Sequence, residues 1–398
     1  MEPRVKINGR LTLAVLFAAA VFLGTLETRT FWSLWRGKPL DFVSHSGKVR
    51  DRVFYSVGPQ YDPIKGYRTP HGKVRITRFH NDEILFDNVI FGNQQGFPSK
   101  NDFVAEKSPS VYRIVIFGDS QTAGVYLKAP WPKVVEQAFN ASGKSTQLEI
   151  YSYAMEGMGA SNWKEIYFHE IAGKIDFDGL LVASCSDSVH WDFLAGDSQG
   201  KTLLLGRSAD ASQLQGLSQA QLPKILSPVD SSEIRSDEAI DTLLASLKRE
   251  PLPPFRPYAT RQLRAKTMAG VRQIQIIQSF TSVPINAERD PAKTSDTSVR
   301  SILEDVQKRK KDLYLVSVPM RSDLNKGASE QEMLSRNELK RLSREFQVPF
   351  FDGQERFKMN RITDTTPRIW LAHDSHWDQA GSDLFAKEMA GFLTAHIP

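Results

Sequence analysis

From Tyr112 onward the chain alternates short apolar runs with longer stretches whose apolar residues recur at helical spacing. Arg113 to Phe117 (RIVIF) is a β-branched run short enough for a buried strand. Pro132 opens a helix that shows Val134, Val135, Ala138 and Phe139 on one face and ends near Gly143. Leu148 to Tyr151 reads as the next strand, Trp163 to Ile171 as the next helix, and Gly179 to Ser184 (GLLVAS) as another buried strand. After a break, a helix is expected near Ser298 to Lys311, a strand over Leu313 to Val318, a charged amphipathic helix over Glu330 to Phe346, and a strand over Val348 to Phe351. Gln379 to Leu393 closes the chain as a helix striped with Ala380, Leu384, Phe385, Met389 and Phe392. Strands alternating with helices predict an α/β class, a three-layer α/β/α sandwich around a central parallel sheet.

Two stretches depart from that rhythm. Residues 28 to 110 are polar, with scattered Gly and Pro and few periodic stretches, and read as a stem and an extended collar before a domain over 111 to 398. The stretch from Val189 to Arg300 is rich in Ser, Gln, Asp and Pro and reads as an insertion at about 189 to 300: a lid or a partner surface.

The N-terminus carries a different pattern. Arg4, Lys6 and Arg10 precede an uncharged run, Leu11 to Leu26, which Glu27 closes. Sixteen helical residues span about 24 Å, a little short of a hydrocarbon layer of about 30 Å. Residues 1 to 27 are therefore expected to form a cytoplasmic tip and a single transmembrane helix, with Trp32 and Trp35 at the far interface. Basic residues before the run place the remainder outside, in the periplasm or the extracellular space. A cleaved signal peptide, with Ala18 to Ala20 as its cleavage site, is the competing reading, although Val21-Phe22-Leu23 continues the apolar run beyond those alanines.

Composition excludes more than it identifies. With 40% hydrophobic and 24% charged residues the chain can bury a core, which excludes a disordered or collagen-like protein. A single cysteine excludes an intramolecular disulfide. A net charge of +5, from 51 basic and 46 acidic residues, gives no reason to propose nucleic acid as a partner.

Gly118-Asp119-Ser120-Gln121 directly follows the strand that ends at Phe117. Ligands of open α/β sheets bind beyond the C-terminal strand ends. A glycine there permits a tight turn, and a serine two residues on can expose its hydroxyl in the first turn of a helix. Serine is not nucleophilic at neutral pH without a base. His373-Asp374-Ser375-His376-Trp377, just before the last helix, supplies His376 as a general base and Asp374 to orient its imidazole.

Arg113 to Gly124 (RIVIFGDSQTAG) resembles the first block of the SGNH, or GDSL-type, hydrolases, with Ser120 matching the nucleophile. Asp374 and His376, followed by Gly381, are similar to the last block in its Asp-x-His-Trp form. Many members carry Asp three residues before His; His373 stands there, so Asp374 is the better match. Tyr153 to Gly159 (YAMEGMG) resembles the second block, which implies Gly157 as an oxyanion-hole glycine. Tyr61 to Tyr67 and Asp87 to Phe97 resemble the lead-in of extracytoplasmic members. The third block departs: Ser186, in Ala183 to Asp187, stands where the family has an asparagine that donates to the oxyanion. Losing one such donor costs on the order of 10²–10³ in rate.

Other features have plainer readings. Cys185 at a buried strand end reads as a small core residue. His373 with His376 lacks a third ligand for a metal site. Gly143-Lys144-Ser145-Thr146 mimics the end of a phosphate-binding loop but precedes a strand, so it is rejected. Asn140-Ala141-Ser142 fits a glycosylation sequon that carries no meaning without a secretory eukaryotic host. Lys308 to Lys311 reads as a solvated helix C-terminus.

The resemblance implies a serine ester hydrolase needing no metal or organic cofactor. Its implied substrate is an acylated glycan or small ester, with O-acetyl groups of a cell-surface or secreted polysaccharide foremost. Two alternatives share the sequence features: an O-acyltransferase in glycan modification, and a catalytically weak glycan-binding factor working with polysaccharide-assembly proteins.

Overall fold

The structure, a computed structural model, describes residues 51–398 apart from 63, 81–82, 186–187, 191–193, 197–201, 205–226, 229–231, 250–290, 325–333 and 373. The expected membrane anchor therefore lies outside the described residues, and among those described no helix is long and apolar enough to cross a membrane. The chain divides into two compact units. The larger comprises Arg52–Arg78, Leu85–Asp241 and Asn286–Pro398, and the smaller Met1–Asp51, Phe79–Ile84 and Thr242–Ile285.

In chain order the strands are β1 (Asp51–Tyr55), β2 (Gln60–Asp62), β3 (Gly66–Arg68), β4 (Gly72–His80), β5 (Glu83–Gly92), β6 (Val111–Gly118), β7 (Gln147–Ala154) and β8 (Gly179–Cys185). They continue with β9 (Leu194–Gly196), β10 (Thr202–Leu204), β11 (Ser227–Pro228), β12 (Ser232–Ile234), β13 (Asp312–Val318) and β14 (Phe350–Asp352). The helices are α1 (Ser120–Ala123), α2 (Trp131–Asn140), α3 (Ala160–Ile166), α4 (Asp237–Arg249), α5 (Pro291–Lys308), α6 (Leu334–Phe346), α7 (Gly353–Met359) and α8 (Gln379–His396).

The central sheet has the order β14-β13-β8-β6-β7, and every neighbouring pair is parallel. A strand buried on both faces needs apolar residues at successive positions, and β6 and β8 have them. Ile114 and Ile116 of β6, with Leu181 and Ala183 of β8, face a core shared with Trp131, Val135 and Phe139 of α2 and Phe385, Met389 and Leu393 of α8. Val115 and Phe117, with Leu180 and Val182, face the other core, made with Trp163, Ile302, Leu303, Val306, Leu339 and Leu342 of α3, α5 and α6. This period-two division makes the three layers. The strand order reverses between β6, which pairs with β7 on one side, and β8 on the other, and a crevice opens at such a switch point.

The elements agree with the sequence pattern except in their bounds and in one region. Helix α3 starts at Ala160, three residues early, and continues as a wider π turn over Tyr167–Ile171. Helix α5 starts at Pro291, where the sequence predicts a start near Ser298. Strand β14 starts at Phe350: Gln347 in the left-handed region (φ 55°) ends α6, and the Val348 N–H is held by the Ser343 carbonyl at 3.0 Å. The larger difference concerns the stem and collar, whose residues 51 to 92 form β1–β5. Of these, β1, β4 and β5 share a four-stranded sheet with β12, in the order β12-β1-β4-β5. On β4, Val74 and Ile76 are buried on one face, while Arg75 and Thr77 on the other both bond Asp87 of β5 at 2.8 Å. That polar face is why the segment reads as hydrophilic.

Two decoys have structural uses. The Asn140 side chain bonds both the N–H and the carbonyl of Leu148, at 2.7 and 2.9 Å, clamping the turn between α2 and β7. Lys144 Nζ donates to the carbonyls of Thr394 and Ile397, at 2.8 and 2.6 Å, and so caps the C-terminus of α8. Cys185 is buried at the end of β8.

Candidate active site

Strand β6 stops at Gly118, where a Cβ would meet Thr122 Cβ at 2.4 Å, so only glycine allows the one-turn helix α1 to fold back so closely. Asp119 is the N-cap of α1 and is fully buried. One of its oxygens accepts from the Gln121 N–H at 3.1 Å. The other accepts from the Cys185 N–H at 2.8 Å and from Ser188 Oγ at 2.7 Å. A single buried carboxylate thus crosses the switch-point crevice and ties the loop after β6 to the loop after β8. Buried charge of this kind is tolerated because hydrogen bonds surround it. Ser184, Ser188 and Ser335 extend the network.

Ser120 therefore occupies a fixed first helical position. Its Oγ lies 2.7 Å from His376 Nε2. The imidazole's Nδ1 lies 2.5 Å from Asp374 Oδ1, which also accepts from the His376 backbone N–H at 3.0 Å. The loop carrying these residues is pinned on each side: the Leu371 N–H donates to the His376 carbonyl at 2.9 Å, the Arg321 N–H to the Ser375 carbonyl at 3.0 Å, and the Asp378 N–H to the Ile369 carbonyl at 2.8 Å. Trp377 anchors it from below, fully buried with Phe385 at 5.0 Å between ring centroids. Tyr126 meets the His376 ring edge-on at 5.1 Å and donates its hydroxyl to Gln121 Oε1 at 2.6 Å. Burial, with the charge of Asp374 next, pushes the Tyr126 phenol far up, so it stays a donor.

Asp374 has a second partner that the motif did not announce. Arg78, on the same face of β4 as Val74 and Ile76 by strand alternation, places Nη1 2.9 Å from Asp374 Oδ2. Burial alone would raise the Asp374 carboxyl. The hydrogen bonds and charge of His376, and then the charge of Arg78, outweigh it and hold the carboxyl well below the usual carboxylate range. The only sequence signal for Arg78 was a charge at an inward position of an alternating stretch.

Ser120, His376 and Gly157 line one cavity of about 260 Å³. Gly157 adopts φ 71°, a left-handed conformation that turns the backbone after β7. Of the residues singled out in the sequence, the structure brings Ser120, His376, Asp374 and Gly157 together. Ser186 and His373 lie outside the described residues. Asp119, Arg78, Tyr126 and Glu156 join the site without having been assigned a part in it. A Ser–His–Asp relay of this geometry can pass a proton from a hydroxyl to an imidazole whose charge a buried carboxylate offsets.

No family model matches the chain, and no curated protein matches it. Solved structures that align with it include esterases and lipolytic proteins. A catalytic mutant of an acetylxylan esterase from Geobacillus stearothermophilus is 11% identical, over 70% of this chain and 92% of that one, with a TM-score of 0.38. An acetyl xylan esterase gives 11% identity, 71% and 99% coverage and a TM-score of 0.38. A member of the lipolytic G-D-S-L family from Veillonella parvula gives 11%, 71% and 98%, and 0.37.

Proposed function

We propose that the protein is a serine ester hydrolase of the SGNH type, acting on acyl esters through Ser120, His376 and Asp374. The observation that carries this reading is the continuous contact from Ser120 Oγ through the His376 ring to Asp374, opening on the cavity that Gly157 also lines. As Ser120 Oγ bonds the ester carbonyl carbon, its proton passes to His376 Nε2, and Asp374 balances the imidazolium. The carbonyl oxygen becomes an oxyanion that the N–H groups of Ser120 and Gly157 stabilise. Collapse breaks the bond to the alcohol oxygen, which takes the proton from Nε2 and leaves. Water then repeats the cycle: it loses a proton to Nε2, bonds the acyl carbon, and expels Ser120 Oγ, which recovers the proton as the carboxylic acid departs.

A glycan as the alcohol and an extracytoplasmic domain held by residues 11–26 are the finer parts of the proposal. They are supported by the motif resemblance and by the charge pattern of the N-terminus. The test is turnover of short p-nitrophenyl esters by the full chain beside Ser120→Ala. Hydrolysis lost in the variant is the expected result; equal background from both folded proteins defeats the reading. Adding glycan acceptors to the active protein and analysing the products separates hydrolysis from transfer.

A further inference from the structure

The cavity beside Ser120 is lined by residues that the catalytic relay does not use. Its far wall comes from β1–β5 and their loops and is chiefly aliphatic: Val74 and Ile76 of β4, Ile90 of β5, Val57 after β1, and Pro59 and Pro98. Val125 adds to this from the loop after α1. Hydroxyls are present too, but they are committed. Tyr67 donates to the Glu156 carbonyl, Tyr55 to the Glu156 carboxylate at 3.3 Å, and Thr69 to Met155 Sδ at 3.9 Å. A sugar ring lodged against Val74, Ile76 and Ile90, away from the Glu156 carboxylate, would lose water from its hydroxyls with no partner in return, which is unfavourable. A hydrocarbon chain lodged there has no polar group to desolvate and withdraws its apolar surface from water.

Size points the same way. A cavity of about 260 Å³, many times the roughly 10–15 Å³ that one water-sized group needs in this measure, takes a chain of several carbons. The single methyl of an acetyl group leaves most of it unfilled. The wall is also rigidly placed relative to Ser120: Asn88 of β5 donates to the carbonyls of Val125 and Leu127, both at 2.7 Å, in the loop that follows α1.

We infer that this cavity is the acyl subsite of the Ser120 centre and that it selects straight aliphatic acyl chains, from butanoyl to octanoyl, over acetyl. The inference rests on the proposed esterase reading for its orientation, and it replaces the acetyl expectation with a longer chain. The alcohol side of the ester then faces the open mouth of the cavity, where a polar group stays hydrated.

Two readouts test it separately from the parent reading. In the first, the full chain is assayed on p-nitrophenyl esters from acetyl to decanoyl. We expect kcat/KM to rise by about fourfold per added methylene until the cavity is full, and then to fall. In the second, binding of the acetyl and hexanoyl esters to Ser120→Ala is measured by calorimetry, which needs no turnover. Tighter binding of the hexanoyl ester by at least tenfold supports the subsite even if the wild type hydrolyses nothing, in which case the esterase reading alone fails. Equal binding of the two esters, or a kcat/KM profile that is flat or highest at acetyl, overturns the subsite whether or not hydrolysis depends on Ser120. Val57→Trp, which adds bulk at a half-exposed position on the wall, sharpens the result: the hexanoyl-to-acetyl ratio of kcat/KM should fall at least fivefold, and an unchanged ratio counts against the assignment.

Discussion

The parallel sheet and the strands that precede it are built by different rules and contribute different things to the site. In β6 and β8 nearly every position is buried, Arg113 among them through its pairing with Glu149, both faces are covered, and Ser120 lies just beyond the strand end. In β4 the positions alternate: Arg75 and Thr77 on one face bond Asp87 of β5, and the other face supplies aliphatic wall and Arg78. A fully covered sheet is stiff and holds the Ser120 and Asp119 turn in one place. On the proposed reading the chemistry belongs to the sheet and the tuning to the strands, and perturbing each region should give effects of different size and kind.

The largest effect is expected at the sheet end. Ser120→Ala should lower ester turnover by about 10⁴-fold or more with an unchanged melting temperature, measured by steady-state assay and thermal unfolding. A loss smaller than tenfold would detach the chemistry from this turn. Next comes Asp119→Ala, which strands the N–H groups of Cys185 and Gln121 and the Ser188 hydroxyl. It should cost about 3 kcal/mol, read from denaturant midpoints, and should lower kcat as well because the nucleophile turn loses its tie to β8.

Perturbing the strands should only tune. Arg78→Gln removes the charge beside Asp374 Oδ2 and should lower kcat by roughly tenfold with little change in KM; Arg78→Lys should recover part of it. The same variant has a signature in acid. The folded Asp374 carboxyl lies well below its unfolded value, so it favours the folded state at neutral pH, and this contribution fades as the pH falls below the ordinary carboxylate range. Without Arg78 the carboxyl moves up towards its unfolded value, so the contribution is smaller and its loss is complete at a higher pH. Melting temperatures of both proteins from neutral to strongly acidic pH should show a smaller acid-induced loss in the variant; curves of identical shape would mean that Arg78 does not act on Asp374. The smallest effect is expected far from both regions: Lys144→Ala uncaps α8 and should cost about 1 kcal/mol while turnover stays as it was.

The order of strands and helices from Tyr112 on was legible because burial on both faces forces unbroken apolar runs, and helices with one buried face repeat at their own period. Ser120, Asp374 and His376 could be singled out because a nucleophile and its base occupy loops at element ends, where few other pressures keep that combination of residues. Strands β1–β5 were not legible as strands: their alternation mixes Arg, Thr and Asp with Val and Ile, and polar side chains that pair with each other look the same in a sequence as polar side chains that face water. Arg78 shows the limit well. Its partner, Asp374, stands about 300 residues away, and no local pattern relates a residue on β4 to a loop before α8. Asp119 could be read as part of a motif, but its three partners lie on α1, at the end of β8 and just beyond it, so only the folded chain makes it the tie across the crevice. Sequence by itself determined which residues must be buried and which could react, because solvation and reactivity are properties of side chains. Which reactive groups meet, what wall they share and what charge stands behind them depended on packing between distant segments, and the tertiary structure alone decided that.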